Sequence, residues 1–159
     1  MSAPSESEAA PPRAMVFGCT GPMLLPEEAA FFAETRPFGC ILLARNCTTP
    51  AQVAALTAAL RASVGRPQAP VLIDQEGGRV LRLRPPHWRA APAASRFGAL
   101  AARDVERAER LCRLNARLIA GELHQLGIDV DCLPCLDLQH AAGSPAIGTR
   151  AFAADPGLV

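Results

Sequence analysis

The chain has 159 residues, of which 50% are hydrophobic and 19% are charged, and its formal net charge is +1. This composition excludes a disordered protein, and the length is sufficient for one domain with a buried core. The balanced charge, without a basic run, argues against nucleic acid or an anionic membrane as a partner. No apolar run approaches the ~20 residues that a membrane-spanning helix needs.

Residues 1–13 consist largely of Ser, Ala, Pro and Glu. They contain neither the basic start nor the apolar stretch of a secretory signal peptide. We therefore expect a disordered tail over residues 1–13, a single domain over residues 14–159, and a cytoplasmic protein.

Strands and helices alternate along the first half of the chain. Proline at the first helical position, followed by acidic residues, predicts a helix that begins at Pro26. A second helix is predicted after Thr49, where Val53, Leu56 and Leu60 recur at helical spacing. The elements predicted here are strand 14–19, helix 26–36, strand 38–44, helix 50–64 and strand 71–73.

The second half contains a Pro-rich segment, a long helix and a strand. Segment 84–89 is predicted to be irregular, either a cover over the functional site or a surface loop fixed by Trp88. A helix is predicted over 103–125, with an apolar stripe that Leu111, Leu114 and Leu118 mark and that Ile119, Leu123 and Leu126 widen. A strand is predicted over 128–138, with Asp137 near its end. This alternation predicts parallel strands joined by right-handed crossover helices, an α/β fold.

The main candidate site follows the strand 71–73. This short apolar run reads as a strand buried on both faces, and it ends in the sequence Asp-Gln-Glu-Gly-Gly-Arg-Val-Leu-Arg over 74–82. Ligands bind at the carboxyl ends of strands in parallel α/β proteins. Gly77 and Gly78 permit a turn with positive φ or a close approach of another group. A Gly-Gly turn with a local Asp–Arg ion pair is the alternative interpretation.

Two segments resemble one known family. The sequence Asp-Gln-Glu-Gly-Gly-Arg-Val over 74–80, followed by Arg82, resembles the N-terminal domain of glycoside hydrolase family 3. The similarity is to its bacterial β-N-acetylhexosaminidase branch, which acts on peptidoglycan fragments. Ile-Gly-Thr-Arg-Ala-Phe over 147–152 resembles a later segment of the same family that carries a sugar-contacting arginine. The resemblance implies the first half of a (β/α)₈ TIM barrel, truncated, since a whole barrel needs roughly 250 residues.

The resemblance also implies site residues and an activity. Asp74 would accept hydrogen bonds from sugar hydroxyls at the non-reducing end, and Arg82 and Arg150 would donate to sugar oxygens. Glu76 and Arg79 would support the loop. The implied ligand is a saccharide that contains N-acetylglucosamine. The implied reaction is hydrolysis of terminal non-reducing β-linked N-acetylglucosamine from peptidoglycan-derived muropeptides or related glycosides, with retention.

The family's catalytic segments have no counterpart in this sequence. A Lys-His-Phe-Pro-Gly-His-Gly segment, a His–Asp acid/base pair and the nucleophilic aspartate all come later in the family. We therefore expect no catalytic residue within this chain, no metal and no cofactor, and an inactive fragment that self-associates through exposed half-barrel edges. The alternative is a catalytically incomplete fragment or sugar-binding remnant.

The six cysteines allow a further interpretation. Cys132 and Cys135 could form a redox or zinc half-site. No second cysteine pair with zinc spacing exists, and the three histidines form no ligand pattern. We expect six reduced thiols that act mostly as small apolar residues.

Overall fold

The structure is a computed structural model and describes residues 11–140 and 143–159. Four strands form one sheet in the order β1-β2-β3-β4, and each neighbouring pair is parallel. The predicted α/β class with parallel strands and crossover helices is confirmed. The strands are β1 Arg13–Phe17, β2 Pro37–Leu42, β3 Val71–Ile73 and β4 Val130–Asp131. The helices are α1 Pro26–Thr35, α2 Pro50–Ser63, α3 Ala94–Ala101 and α4 Val105–Gln125.

The hydrophobic core lies where the two central strands meet the helices. Leu42 on β2 and Val71 and Ile73 on β3 are almost completely buried. The predicted apolar face of α2 is confirmed, because Val53, Leu56 and Leu60 pack into the same core. Burying one such side chain contributes ~1.5–3 kcal/mol, so the central strands are held firmly.

The predicted bounds are wrong at both ends of the sheet. Strand β1 begins at Arg13, so the expected tail cannot extend to that residue, and residues 1–10 of it lie outside the described part of the chain. Strand β4 spans only Val130–Asp131 instead of 128–138. Its last bond to β3 runs from the Cys132 N–H to the Ile73 carbonyl, at 2.8 Å. Pro134 lacks an N–H and cannot continue the ladder.

Helix α3 is absent from the sequence-based prediction. Its N-cap residue, Ala93, provides no side-chain hydrogen bond, and Gly98 in its interior disfavours a helix. The helix packs along α4, so tertiary contacts override the weak local signal. Gly98 permits a close approach, since a Cβ at this position would lie 1.8 Å from the Phe152 carbonyl oxygen.

The prediction for the long helix is partly wrong. Leu111, Leu114 and Leu118 are exposed, and the buried face of α4 is formed by Ala108, Ile119 and Leu123. The predicted widening residues Ile119, Leu123 and Leu126 are buried, so only the Leu111, Leu114 and Leu118 part of the stripe is wrong. The helix begins at Val105 rather than 103 because Asp104 caps it, accepting the Arg107 N–H at 2.9 Å.

The irregular segment 84–89 agrees with the prediction. Trp88 is partly buried against the core, and the His87 ring stands edge-on to it with centroids 5.8 Å apart. These contacts fit a surface loop fixed by its tryptophan. Within residues 11–140 and 143–159, no helix combines the length and apolar character needed to cross a bilayer.

We expect the 159-residue chain to self-associate at micromolar concentrations. Val16 on β1 and Val130 on β4 are exposed apolar side chains on the two outer strands, and unpaired apolar edges favour pairing between chains. Val16→Lys combined with Val130→Lys should shift the chain towards monomer in size-exclusion chromatography with light scattering. Leu114→Lys, at an exposed position on α4, is the matched control. A monomer at every concentration of the unsubstituted chain would contradict this expectation.

Candidate functional site

The site is built on a loop that leaves β3 at its carboxyl end, residues 74–83, here called the rim loop. Asp74 is its first residue, and its Oδ2 accepts a hydrogen bond from Arg82 Nη2 at 2.6 Å. The two side chains are 25% and 24% exposed, respectively, so the ion pair is accessible from solvent. Two of the three predicted sugar-binding residues therefore meet at this end of the sheet.

Gln75 holds the rim loop closed and is completely buried. Its Oε1 accepts the backbone N–H groups of Arg82 at 2.9 Å and Leu83 at 3.0 Å, and its Nε2 donates to the Leu83 carbonyl at 3.0 Å. The amide thereby satisfies three backbone groups and fixes the backbone position from which the Arg82 side chain extends. The sequence analysis assigns Gln75 no role. The available signal was a polar residue placed directly after a buried strand.

The two glycines of the rim loop have both properties that the sequence suggests. Gly77 has φ of +100° and Gly78 has φ of +58°. A Cβ on Gly77 would lie 2.2 Å from the Pro92 carbonyl oxygen, and a Cβ on Gly78 would lie 2.6 Å from the Ala93 Cβ. Positive φ and close approach both require glycine at these positions.

Arg150 reaches the rim loop from a distant part of the sequence. Its Nε donates to Glu76 Oε2 at 2.8 Å, and its Nη2 donates to Glu76 Oε1 at 2.7 Å. The Glu76 side chain is only 8% exposed, and that of Arg150 is 28% exposed. The hydrogen bonds to Glu76 raise the pKa of Arg150, so its guanidinium stays charged. The third predicted residue thus reaches the same loop, but it pairs with Glu76 rather than with Asp74.

Arg79 fixes the chain just before Arg150. Its Nη2 donates to the carbonyl oxygens of Pro145 at 2.9 Å and Ile147 at 3.0 Å, and it also contacts the Ala146 carbonyl. Residues 145–152 are here called the arginine segment. Two arginines therefore join the rim loop to this segment: Arg79 extends from the rim loop, and Arg150 extends from the arginine segment.

Asp131, at the end of β4, lies beneath the rim loop. Its Oδ1 accepts the Gln75 N–H at 2.9 Å, whereas its Oδ2 is buried and has no hydrogen-bond partner among the described residues. Burial raises the pKa of Asp131, and the negative charges of Asp74 and Glu76 raise it further. The sequence offers no local signal for this role, because it depends on how the rim loop crosses the strand end.

The cysteines form no disulfide in this structure. All six are free, and burial raises the pKa of Cys40 and Cys47 to about 11. Cys132 is exposed, whereas Cys135 is buried and donates from Sγ to Asp137 Oδ2 at 3.3 Å. Among the residues that the structure describes, no group of three or more His, Cys, Asp or Glu side chains could hold a metal ion.

Comparison with sequence families and curated proteins gives concordant matches. The family model described as the glycosyl hydrolase family 3 N terminal domain matches residues 25–159. A beta-hexosaminidase of Xanthomonas campestris pv. campestris (strain B100) is 41% identical over 145 residues, which are 91% of this chain and 43% of the relative. A beta-hexosaminidase of Xylella fastidiosa (strain 9a5c) is 38% identical over 145 residues, 91% of this chain and 42% of the relative. The chain spans less than half the length of these curated relatives.

Solved structures show the same similarity. NagZ from Neisseria gonorrhoeae, in complex with N-trifluoroacetyl-D-glucosamine, superposes with a TM-score of 0.84 at 31% identity. The match covers 92% of this chain and 44% of that one. A glycoside hydrolase family 3 beta-N-acetylglucosaminidase from Paenibacillus sp. str. FPU-7 superposes with a TM-score of 0.78 at 32% identity, covering 90% of this chain and 26% of that one.

We expect Gln75→Leu to lower the free energy of unfolding by about 3 kcal/mol or more. The substitution leaves three backbone groups of Arg82 and Leu83 buried without partners, and each costs ~1–3 kcal/mol. Urea unfolding measures the loss. Gln125→Leu, at the exposed last position of α4, is the matched control. Equal losses in the two variants would show that the Gln75 amide does not hold the loop.

We expect Asp131→Asn to stabilise the protein at neutral pH. Because the pKa of Asp131 in the folded chain lies above its ordinary value of 3.8, the folded state binds more protons than the unfolded state. Stability of the unsubstituted chain is therefore lost as pH rises from 3.8 through the folded pKa. Asparagine keeps the acceptor for Gln75 and removes the buried charge. The stability difference between variant and parent, measured by urea unfolding, should grow as pH rises and then level off; a pH-independent difference would contradict this.

Proposed function

The chain belongs to the family of the glycosyl hydrolase family 3 N-terminal domain, and from this premise we propose that it forms the sugar-binding part of a β-N-acetylhexosaminidase. The proposed reaction is hydrolysis of terminal non-reducing β-linked N-acetylglucosamine from peptidoglycan-derived muropeptides or related glycosides. The observation that carries the proposal is that Asp74 and Arg82 pair on the rim loop at the carboxyl end of β3 and that Arg150 contacts the same loop through Glu76.

Each of these side chains keeps capacity for a polar ligand. Asp74 and Arg82 are paired but accessible, so the carboxylate accepts sugar hydroxyls while the guanidinium donates to sugar oxygens. Arg150 uses Nε and Nη2 for Glu76, and its Nη1 makes only a 3.4 Å contact with the Ala146 carbonyl. That nitrogen is the one we assign to the saccharide. Both arginines are neutralised by a carboxylate, which suits an uncharged sugar such as N-acetylglucosamine.

The two acidic residues of the rim loop are assigned to binding and positioning rather than to bond cleavage. Retaining hydrolysis needs a nucleophile and a proton donor on either side of the scissile bond. Asp74 and Glu76 each form an ion pair with an arginine, and Glu76 is buried beneath Arg150. We propose that the catalytic residues are supplied from outside residues 1–159. No metal or cofactor enters this proposal.

The second candidate function is sugar binding without catalysis. It is favoured by the same ion pairs, since both carboxylates of the rim loop are already engaged. Turnover of a chromogenic N-acetylglucosaminide separates the two candidates. We expect residues 1–159 to bind N-acetylglucosamine without turnover. Turnover by these residues alone would overturn the assignment of catalysis to other segments.

We expect Arg82→Gln and Asp74→Asn each to weaken N-acetylglucosamine binding by about tenfold or more. Each variant removes a charged partner from the sugar, and a charge-assisted hydrogen bond is about twice as strong as a neutral one. Chemical-shift titration by NMR measures the affinity. Arg110→Gln is the matched control, because Arg110 forms an exposed ion pair with Glu106 on α4. Unchanged affinity in both site variants would refute the proposed saccharide site.

A further inference from the structure

The Glu76–Arg150 pair differs from the other ion pairs in its burial and geometry. Its carboxylate is the most buried acidic partner among the ion pairs of the described residues, and both of its oxygens are engaged by one guanidinium. Parallel N–H donors facing both carboxylate oxygens fix the orientation of the guanidinium as well as its position.

Glu76 is itself held rigidly. Its backbone N–H donates to the Val80 carbonyl at 3.0 Å, and Gly77, which follows it, lies against the Pro92 carbonyl. The backbone of Glu76 is therefore fixed, and its carboxylate can orient Arg150. The arginine segment is held separately by Arg79, which bonds the carbonyls of Pro145 and Ile147.

We infer that Glu76 is a positioning residue: its carboxylate holds Nε and Nη2 of Arg150 and fixes the guanidinium in one orientation, which leaves Nη1 with a single 3.4 Å contact to the Ala146 carbonyl. Two of the three guanidinium nitrogens are occupied by Glu76, so the third is presented in one orientation. Arg79 fixes the backbone of the arginine segment, and Glu76 fixes the orientation of the Arg150 side chain. The ligand contact of Nη1 rests on the proposed function, but the orientation of Arg150 does not.

The orientation can be tested without any sugar. The NMR signal of the Arg150 Nε–H, assigned by its loss in Arg150→Lys, should exchange slowly with solvent because it is bonded to Glu76. In Glu76→Gln we expect this exchange to be at least about tenfold faster, since an amide offers one acceptor where two are needed. Glu106→Gln, which removes an exposed carboxylate on α4, should leave the Arg150 signal unchanged. Unchanged exchange in Glu76→Gln would overturn the inference.

Sugar affinity then tests whether Glu76 acts through Arg150. We expect Glu76→Gln to weaken N-acetylglucosamine binding by about tenfold in the parent chain and to have no effect in an Arg150→Gln background. Equal penalties in the two backgrounds would show an independent role for Glu76 and overturn the inference. If the parent chain binds no sugar, the proposed function fails, and the exchange measurement alone decides the positioning role.

A second variant keeps the test decisive if Glu76→Gln does not fold. Glu76→Asp retains the charge but is one methylene shorter, so it cannot meet Nε and Nη2 with the same geometry. We expect intermediate exchange at Arg150 Nε–H and a smaller loss of affinity. Parent-like exchange in this variant would show that the spacing of the carboxylate is unimportant and would count against the positioning role.

Discussion

The Gln75 side chain is the constraint on which the site depends. A fully buried amide between a strand and a Gly-Gly turn must satisfy its own donors and acceptor, and it does so with the backbone of Arg82 and Leu83. Those bonds return the chain to the end of β3 only eight residues after it leaves. Arg82 consequently lies opposite Asp74, so their ion pair is a result of the closed loop rather than its cause.

The two ion pairs of the site have different energetic characters. The pair of Asp74 and Arg82 is open to water, so its contribution to folding is small and a ligand can compete for its hydrogen bonds. The Glu76 carboxylate of the second pair is largely buried, so removing Arg150 would leave a poorly solvated negative charge. The first pair can therefore exchange its hydrogen bonds with a polar ligand, and the second pair is suited to hold two distant segments together.

Much of the fold, and the contact between Asp74 and Arg82 in the candidate site, could be predicted from the sequence. Helical spacing predicts the buried face of α2, and the short spacing around Gly77 and Gly78 predicts that Arg82 lies within reach of Asp74. The roles of Gln75 and Asp131 could not be predicted, because they depend on backbone groups that meet only after the loop has folded. Helix α3 was missed because packing against α4, rather than local propensity, stabilises it. The predicted stripe of α4 is too wide, since Ile119 and Leu123 are buried but Leu111 is exposed, and spacing alone does not define where the buried face ends.

The contact between Glu76 and Arg150 joins residues 74 positions apart, and this separation has a consequence for synthesis. A ribosome adds ~5–20 residues per second, so the glutamate waits several seconds before its partner is even made. During that interval the carboxylate lacks its guanidinium partner, and burying it unpaired would be unfavourable, so it stays in water. The N-terminal strands can pair early, but the edge of the molecule that carries the candidate site can reach its final form only after the arginine has left the exit tunnel.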